Sequence, residues 1–311
     1  MIGGSLRRVG AWLLVTAVLS GCATLSVVRH ERCSPAESSK EGSGLTLISW
    51  NIHGLPLTRA LKQRMANIAD EIRLCGPDVV LLQEAWFERI ATLLEKHLGG
   101  AYARVPDDSG VRAGLHGILG VRRGGLLAFV RVGSAWKLEP PGQSSAFTIY
   151  ESAAPWYKLW ELDGVSSKGI QRFALRSGER HLIVINTHLQ SQYGKCREYE
   201  RVRSEQIGQI VRESGDSVHV VLVAGDFNTN ADEKLHDVLV SDFEDLTGPL
   251  RERSGGGIHY DKGKESGWID YVFARRGKRV VVRGARLITN IAEDDPYSDH
   301  HGVWVWLTIE R

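Results

Sequence analysis

The sequence predicts an α/β domain built in layers, on three observations. Short apolar runs alternate with stretches of helical periodicity from Leu45 to Arg311. A strand that is apolar on both faces must be covered on both, so it needs a layer on either side. Hydrophobic residues make up 42% and charged residues 24% of the 311, a globular balance that excludes collagen-like, coiled-coil and wholly disordered chains. No linker interrupts residues 45–311, so they are read as one domain.

The elements follow in order. Leu45–Trp50 and Val79–Leu82 read as buried strands. Between them Leu61, Met65, Ile68, Ala69 and Ile72 fall on one face of a helix over Leu61–Leu74. Phe87–Leu98 has the same period. Leu126–Val132 and Leu182–Asn186 are strands, and Tyr199–Val211 is a helix. Val218–Ala224 is a strand followed by a short helix, Glu233–Leu239. Ile269–Phe273, Val280–Val282 and Val303–Leu307 close the series. Trp156, Tyr157 and Trp160 share a helical face and are read as packing inward, with a membrane-touching loop as the alternative. His116, between Gly114 and Gly120, is a loop residue without motif support.

Arg7 and Arg8 precede an apolar run, Ala11–Leu19, that ends in Leu19-Ser20-Gly21-Cys22. A basic start, a short apolar core and small residues make a secretory signal, and the run is too short to span a bilayer. The segment resembles a bacterial lipoprotein signal. That resemblance implies removal of residues 1–21, lipid on Cys22 and, with Ala23 rather than Asp next, an outer-membrane location facing the periplasm. An ordinary signal or an uncleaved anchor is the alternative. Residues 22–44 read as a Gly/Ser-rich tether. Residues 1–21 carry two Arg and no acid, so their loss takes the formal charge from +2 to 0. A neutral chain lacks the basic footprint of a nucleic-acid binder. Arg275, Arg276, Lys278 and Arg279 form one short cluster, read as a solvated hairpin face.

Cys33, Cys75 and Cys196 remain. No Cys-x-x-Cys spacing occurs, so a cysteine zinc site is not expected. Cys75 is read as a small buried apolar residue of its helix. Cys33 and Cys196 are left open as a pair in an oxidising compartment.

Polar residues collect just past the apolar strands. Ser49-Trp50-Asn51, Gln83-Glu84, Asn186-Thr187-His188 and Gly225-Asp226-Phe227-Asn228 all follow such runs. Ser298-Asp299-His300 precedes the last strand, and Asp270 lies within another. Ends of neighbouring strands converge in space, where sites are built. Asn, Glu and Asp offer hard oxygen ligands suited to Mg²⁺, and two His offer groups that titrate near neutrality. Taken singly, His188 is more often structural than catalytic; the ordered set reverses that weighting.

These motifs, with Ile269-Asp270-Tyr271, resemble in order the endonuclease/exonuclease/phosphatase superfamily of metal-dependent phosphoesterases, related to deoxyribonuclease I. The resemblance implies a four-layer α/β/β/α sandwich of two mostly antiparallel sheets. It implies that Glu84 is the principal Mg²⁺ ligand, assisted by Asn51 with Asp299 close by, and that Mn²⁺ can substitute. His300 is the general base and Asp270 orients it. Asp226 and Asn228 position water and phosphate or help hold a second metal. His188 contacts the phosphate and assists the leaving group.

Three segments resemble the neutral sphingomyelinase branch. They are Asn186–Gln190 with Tyr193, Asp163 with Ser167-Lys168-Gly169-Ile170, and Asn51–Pro56. Lys168 is then a substrate contact, with a plain turn as the alternative, and His53 lies behind the ligands or is structural. The apolar membrane hairpin of secreted bacterial sphingomyelinases has no counterpart in the polar stretch from Ser254 to Gly267. The expected substrate is a phospholipid-type phosphodiester, met at a membrane through Cys22. A Mg²⁺-dependent endonuclease acting on DNA or RNA and an inositol-type phosphatase are the alternatives. A non-catalytic lipoprotein would have lost a metal or base residue, and none is lost. Oligomeric state is left open.

Overall fold

The first run of apolar residues, GLTLISWN, is buried along its whole length and forms β1 (Gly44–Asn51) in the computed structural model of the chain. The structure describes residues 44–310 except 56–57, 107–120, 123, 141–144, 154–166, 194–196, 216–217, 255–258, 262–263, 278–279 and 289–296. Cys22, Cys33, His116, Trp156, Tyr157, Trp160, Asp163, Cys196, Lys278, Arg279, the signal and the tether up to residue 43 therefore lie outside the described residues, while Gly44, expected to end the tether, opens β1.

After β1 comes helix α1 (Leu61–Cys75), which buries Met65, Ile68, Ala69 and Ile72 as its period requires. It stops at Gly76, whose left-handed backbone (φ 56°) returns its N–H to the Ile72 carbonyl. Strand β2 (Val79–Gln83) and helix α2 (Glu88–Leu98) follow. Next come strands β3 (Tyr102–Arg104), β4 (Leu127–Arg131), β5 (Lys137–Leu138), β6 (Ser145–Ile149), β7 (Gly169–Ser177) and β8 (Arg180–His188). Helix α3 (Arg197–Glu213), β9 (Val220–Asp226), α4 (Lys234–Asp242), β10 (Phe243–Asp245) and α5 (Gly248–Ser254) continue the chain. A small hairpin, β11 (His259–Asp261) and β12 (Lys264–Ser266), precedes β13 (Asp270–Arg275), β14 (Val280–Ile288) and β15 (Gly302–Ile309).

The expected four-layer sandwich is present. One sheet runs β14-β15-β1-β2-β4-β3, the other β10-β13-β9-β8-β7-β5 with β6 also on β7. Only β1–β2 and β8–β9 pair parallel within these two sheets; the remaining pairs are antiparallel. The main core lies between the sheets and extends under α3 and α4 through Ile207, Ile210, Leu235 and Leu239. A second core fills the space between the first sheet and α1 and α2. No helix among the described residues is long and apolar enough to cross a membrane.

Strand ends differ from the expectations in ways that have causes. β14 runs on from Val282 to Ile288 past an irregularity at Val282/Gly284, and its half-buried pattern hides the second part. β7 was not expected, because Gln171, Arg172 and Arg176 interrupt its apolar residues; the side chains alternate between the core and the outer face. The short edge strands β3, β5, β6 and β10 carry too few apolar residues to announce themselves. Cys75 is a further correction: it is disulfide-bonded, so it is not merely a small apolar residue of α1.

Opposite ends of the sheets do different work. At one end Asp78, just before β2, accepts from Thr46 N (2.9 Å), Thr46 Oγ1 (2.8 Å), Ser134 Oγ (2.7 Å) and Arg131 (2.8 Å). Those four donors satisfy a buried carboxylate and tie β1, β2 and the β4 end together. The other end, where β1, β2, β8 and β9 finish, carries the polar motifs.

Candidate active site

Parallel pairing brings four strand ends to one place. Asn51 pairs with Gln83 across β1–β2, and His188 with Asp226 across β8–β9. Asp270, first in β13, pairs with Asp226. The two sheets are then locked face to face by amides. Gln83 Nε2 donates to Asn186 Oδ1 (2.8 Å), and Asn186 Nδ2 donates to Gln171 Oε1 and the Leu82 carbonyl (3.2 Å each). Gly225 fits the same join. Its φ is 148°, and a Cβ there would overlap the Thr187 carbonyl.

The Ser298–His300 segment is hung on β1. Ser298 Oγ donates to the Asn51 carbonyl (2.5 Å), and Trp50 Nε1 donates to the His300 carbonyl (2.9 Å). His300 Nδ1 then meets Asp270 Oδ2 at 2.7 Å, with both side chains buried. His300 Nε2 lies 3.8 Å from Asp226 Oδ2. Burial alone would lower the His300 pKa, but the adjoining Asp270 charge and hydrogen bond, helped by Asp226 and Asp299, raise it to about 10.

Glu84 follows β2 with a left-handed backbone, and its side chain is half-buried in the site, 17% exposed. Burial, then the like charge of Asp299, pushes its pKa up. Its Oε2 is buried without a hydrogen-bond partner. A buried carboxylate oxygen with no donor, among Asp299, Asp226 and Asn51, is what a hard divalent cation would satisfy. The residues fit such an ion. Asn51 departs from its expected role: its Nδ2 donates to Asp226 Oδ2 (3.0 Å) and lies 3.3 Å from Glu84 Oε1, while its Oδ1 accepts from His53 N (3.0 Å). To act as a ligand its amide must turn over. Among the described residues Asp226, Asp270 and His300 bring potential ligand atoms within 4.8 Å of one another.

The third group comes from β7 and β8. Lys168 Nζ, almost fully buried, lies 2.9 Å from His188 Nε2 and donates to the Leu189 carbonyl (2.7 Å) and Ser191 Oγ (3.0 Å). Burial, then the charges of Lys168 and His300, holds the His188 pKa well below the usual histidine range. Asn228 N donates to Asp226 Oδ1 (2.8 Å), and its Nδ2 to the Leu189 carbonyl (3.2 Å). His53, Glu84, Ser167 and Asn228 all have φ between 47° and 60°. Strained non-glycine backbone of this kind concentrates where a side chain must be aimed.

All nine residues expected at the site from residues 45–311 are brought together here: Asn51, Glu84, Lys168, His188, Asp226, Asn228, Asp270, Asp299 and His300. The sequence reading missed four supports. Arg64 donates to the Ile52 (2.8 Å), His53 and Tyr297 (2.7 Å) carbonyls, and a charged residue on the buried stripe of α1 was the available signal. Trp86 stands with its ring 6.1 Å from that of His188. Tyr150 hydrogen-bonds Thr187, and Gln171 holds Asn186. Neither of these carried a sequence signal.

A two-sheet sandwich that gathers carboxylates, amides and a His–Asp pair at one end has the architecture of the deoxyribonuclease I-like hydrolases. The chain belongs to the Endonuclease/Exonuclease/phosphatase family, which it matches over residues 48–300. It is 25% identical over 221 residues to the inositol phosphosphingolipids phospholipase C of Schizosaccharomyces pombe, covering 66% of this chain and 46% of that protein. It is 26% identical over 183 residues to sphingomyelin phosphodiesterase 2 of Rattus norvegicus, covering 58% and 39%. The chain thus spans less than half the length of these curated relatives. The D. rerio TDP2 structure complexed with single strand DNA product superposes with a TM-score of 0.62 at 19% identity, covering 86% of this chain and 99% of that one. That likeness is one of fold.

Proposed function

We propose that the protein is a phosphodiesterase that hydrolyses sphingolipid-type phosphodiesters with a divalent cation, Mg²⁺ foremost, at Glu84. The observation that carries this reading is the buried His300–Asp270 pair beside the orphaned Glu84 oxygen, in a chain whose curated relatives are named for phosphosphingolipid cleavage. Glu84 and Asp299 would hold the cation, which supplies charge to offset the phosphoryl oxygens as negative charge grows. Neutral His300 takes a proton from water at Nε2 while Asp270 keeps Nδ1 protonated and aimed. The water oxygen bonds to phosphorus, the bond from phosphorus to the lipid alkoxide oxygen breaks, and that oxygen takes a proton from solvent while His300 returns its own to solvent. Lys168 and Asn228 sit where they can donate to phosphate oxygens.

The domain reading is part of the proposal: residues 1–21 a signal, 22–44 a tether and 45–311 the catalytic domain, held at a membrane by lipid on Cys22. The disulfide at Cys75 supports an oxidising, exported setting.

The test compares three substrates at equal enzyme and Mg²⁺. They are sphingomyelin micelles read by phosphocholine release, an inositol phosphosphingolipid read by head-group release, and supercoiled plasmid read by nicking. Release from either lipid, well ahead of nicking, is expected. Rapid nicking without head-group release would replace the lipid reading with a nuclease, and inactivity on all three would reject both.

A further inference from the structure

One carbonyl aims both side chains that can donate to a substrate phosphate. Leu189 O accepts from Lys168 Nζ at 2.7 Å and from Asn228 Nδ2 at 3.2 Å. The N–H of Gln190 belongs to the same peptide plane, and in a trans peptide it points the opposite way from that carbonyl. It donates to Gln206 Oε1, on α3, at 2.9 Å. Gln206 lies on the covered face of that helix, 1% exposed, where an apolar residue is the ordinary choice. Its other end is held as well, because Nε2 donates to the Ser152 carbonyl at 2.9 Å. A buried amide is costly unless its hydrogen bonds are made, and these two fix which way the Leu189–Gln190 peptide faces. Turned over, that peptide would set an N–H against the Lys168 ammonium in place of an acceptor.

We propose that Gln206 is a positioning residue of the active site: by fixing the Leu189–Gln190 peptide plane it aims Lys168 and Asn228 at the substrate phosphate. This rests on the phosphodiesterase reading. Gln206 acts only through the two donors, since its own hydrogen bonds go to the backbone of Gln190 and Ser152. Lys168 keeps His188 Nε2 and Ser191 Oγ as partners, so loosening the peptide costs less than removing the ammonium.

The experiment uses the full-length protein with Gln206→Met, Gln206→Glu, Lys168→Met and the double variant of Gln206→Met with Lys168→Met. Met keeps the length of Gln and removes both hydrogen bonds, whereas Glu keeps an acceptor for the Gln190 N–H. Turnover is read on bis-nitrophenyl phosphate in saturating Mg²⁺. The Lys168 ammonium is read by its ¹⁵N-edited proton resonance in the metal-free protein, where burial and its acceptors slow exchange. Gln206→Met should lower kcat roughly tenfold with KM little changed, and should lose or shift that resonance. In the Lys168→Met background the same change should cost no more than about threefold, since one of the two donors it serves is already gone. Gln206→Glu should retain the resonance and stay within about threefold of wild-type kcat. A full tenfold loss in the Lys168→Met background, or an unchanged resonance in Gln206→Met, overturns the inference. Should Gln206→Met not fold, Gln206→Glu decides, and its loss of both resonance and rate overturns the inference. Wild type inactive on the diester rejects the phosphodiesterase reading, and the resonance alone then decides whether Gln206 holds Lys168.

Discussion

Lys168 Nζ stands 2.9 Å from His188 Nε2, and both side chains are buried. An ammonium only donates, so Nε2 accepts and the ring proton sits on Nδ1. Nδ1 itself has no hydrogen-bond partner. His188 is thus a neutral ring whose Nε2 has no proton to give, while Lys168 directs its three protons at His188 Nε2, the Leu189 carbonyl and Ser191 Oγ and is the positive charge beside the ring. Lys168→Met should lower kcat by roughly 10²-fold, the scale of losing one preorganised donor. It should also raise the His188 pKa, since the Lys168 charge helps hold it down. An NMR titration of the ring together with kcat checks this. An unchanged kcat would show that the ammonium does no work in the reaction.

Glu84→Gln keeps the shape of the side chain and removes its charge. Divalent-ion binding by calorimetry should be lost and kcat/KM should fall by orders of magnitude. Metal-free stability should hold or rise, because burial and the Asp299 charge disfavour the native carboxylate. Near wild-type turnover in Mg²⁺ would remove Glu84 from the site.

The His300 prediction has a sign. A general base acts when deprotonated, so a raised pKa moves the ascending limb of kcat/KM to higher pH. Without a cation, Asp270 and its neighbours raise His300 from the ordinary 6.5 to about 10. A bound cation repels the imidazolium and lowers that value. The limb in saturating Mg²⁺ should therefore lie below the metal-free pKa. Asp270→Asn should move the limb to lower pH and also lower the plateau, since the ring loses its carboxylate partner. Profiles that coincide for the two proteins would separate His300 from the rate.

The legible part of the fold was the part where one face decides. The apolar residues of β2 and β9 and the stripe of α1 are buried, although Val218, expected to open the latter strand, is exposed and precedes it, and the residues at or just past the ends of β1, β2, β8 and β9 converge because parallel pairing puts strand ends level. What stayed hidden depends on partners far away in the chain. Arg64 looks like a surface charge until the Ile52, His53 and Tyr297 carbonyls surround it. Asn51 reads as a ligand, but which face of its amide points at Glu84 is set by His53 N. The proton on His188 is set by Lys168, twenty residues earlier. Cys75 sits on an apolar helical stripe, and no spacing in the sequence distinguishes a bonded thiol from a buried free one.

Acid stability should be concentrated at Asp245. Burial would raise its pKa, but His236, Thr247 and Arg251 outweigh burial and bring it from 3.8 to about 2. Arg251 donates to it at 2.7 Å, and Thr247 N at 2.8 Å. A depressed carboxylate contributes stability above its unfolded pKa and loses it as pH falls through the folded one. The contribution is about 2 kcal/mol near neutrality, lost between about pH 4 and pH 2. Urea unfolding of Asp245→Asn should show that deficit at neutral pH, and the gap to wild type should close toward pH 2. A gap independent of pH would assign the loss to packing.

The last prediction concerns Cys22. Arg7 and Arg8, the apolar run Ala11–Leu19 and Leu19-Ser20-Gly21-Cys22 stand in the order that export and lipidation require. The alternative, an ordinary signal with an incidental cysteine, predicts a soluble product that starts elsewhere. The disulfide at Cys75 favours export under either reading, so it does not separate them; lipid on the Cys22 thiol does. Acyl chains add roughly 0.8 kcal/mol of membrane affinity per buried CH₂, whereas a mature chain of zero formal charge has little electrostatic pull toward anionic lipid. Full-length wild type should therefore fractionate with membranes and release from them only in detergent. Cys22→Ser should remain as the longer, unprocessed chain or appear in the soluble fraction. Its turnover on bis-nitrophenyl phosphate, a soluble diester, should match wild type, because residue 22 is none of the residues gathered at the site and precedes β1. Its turnover on sphingomyelin in the same vesicles should fall, since the site no longer stays at the bilayer. Soluble wild-type protein whose first residue is other than Cys22 would end the lipoprotein reading and leave the catalytic one untouched.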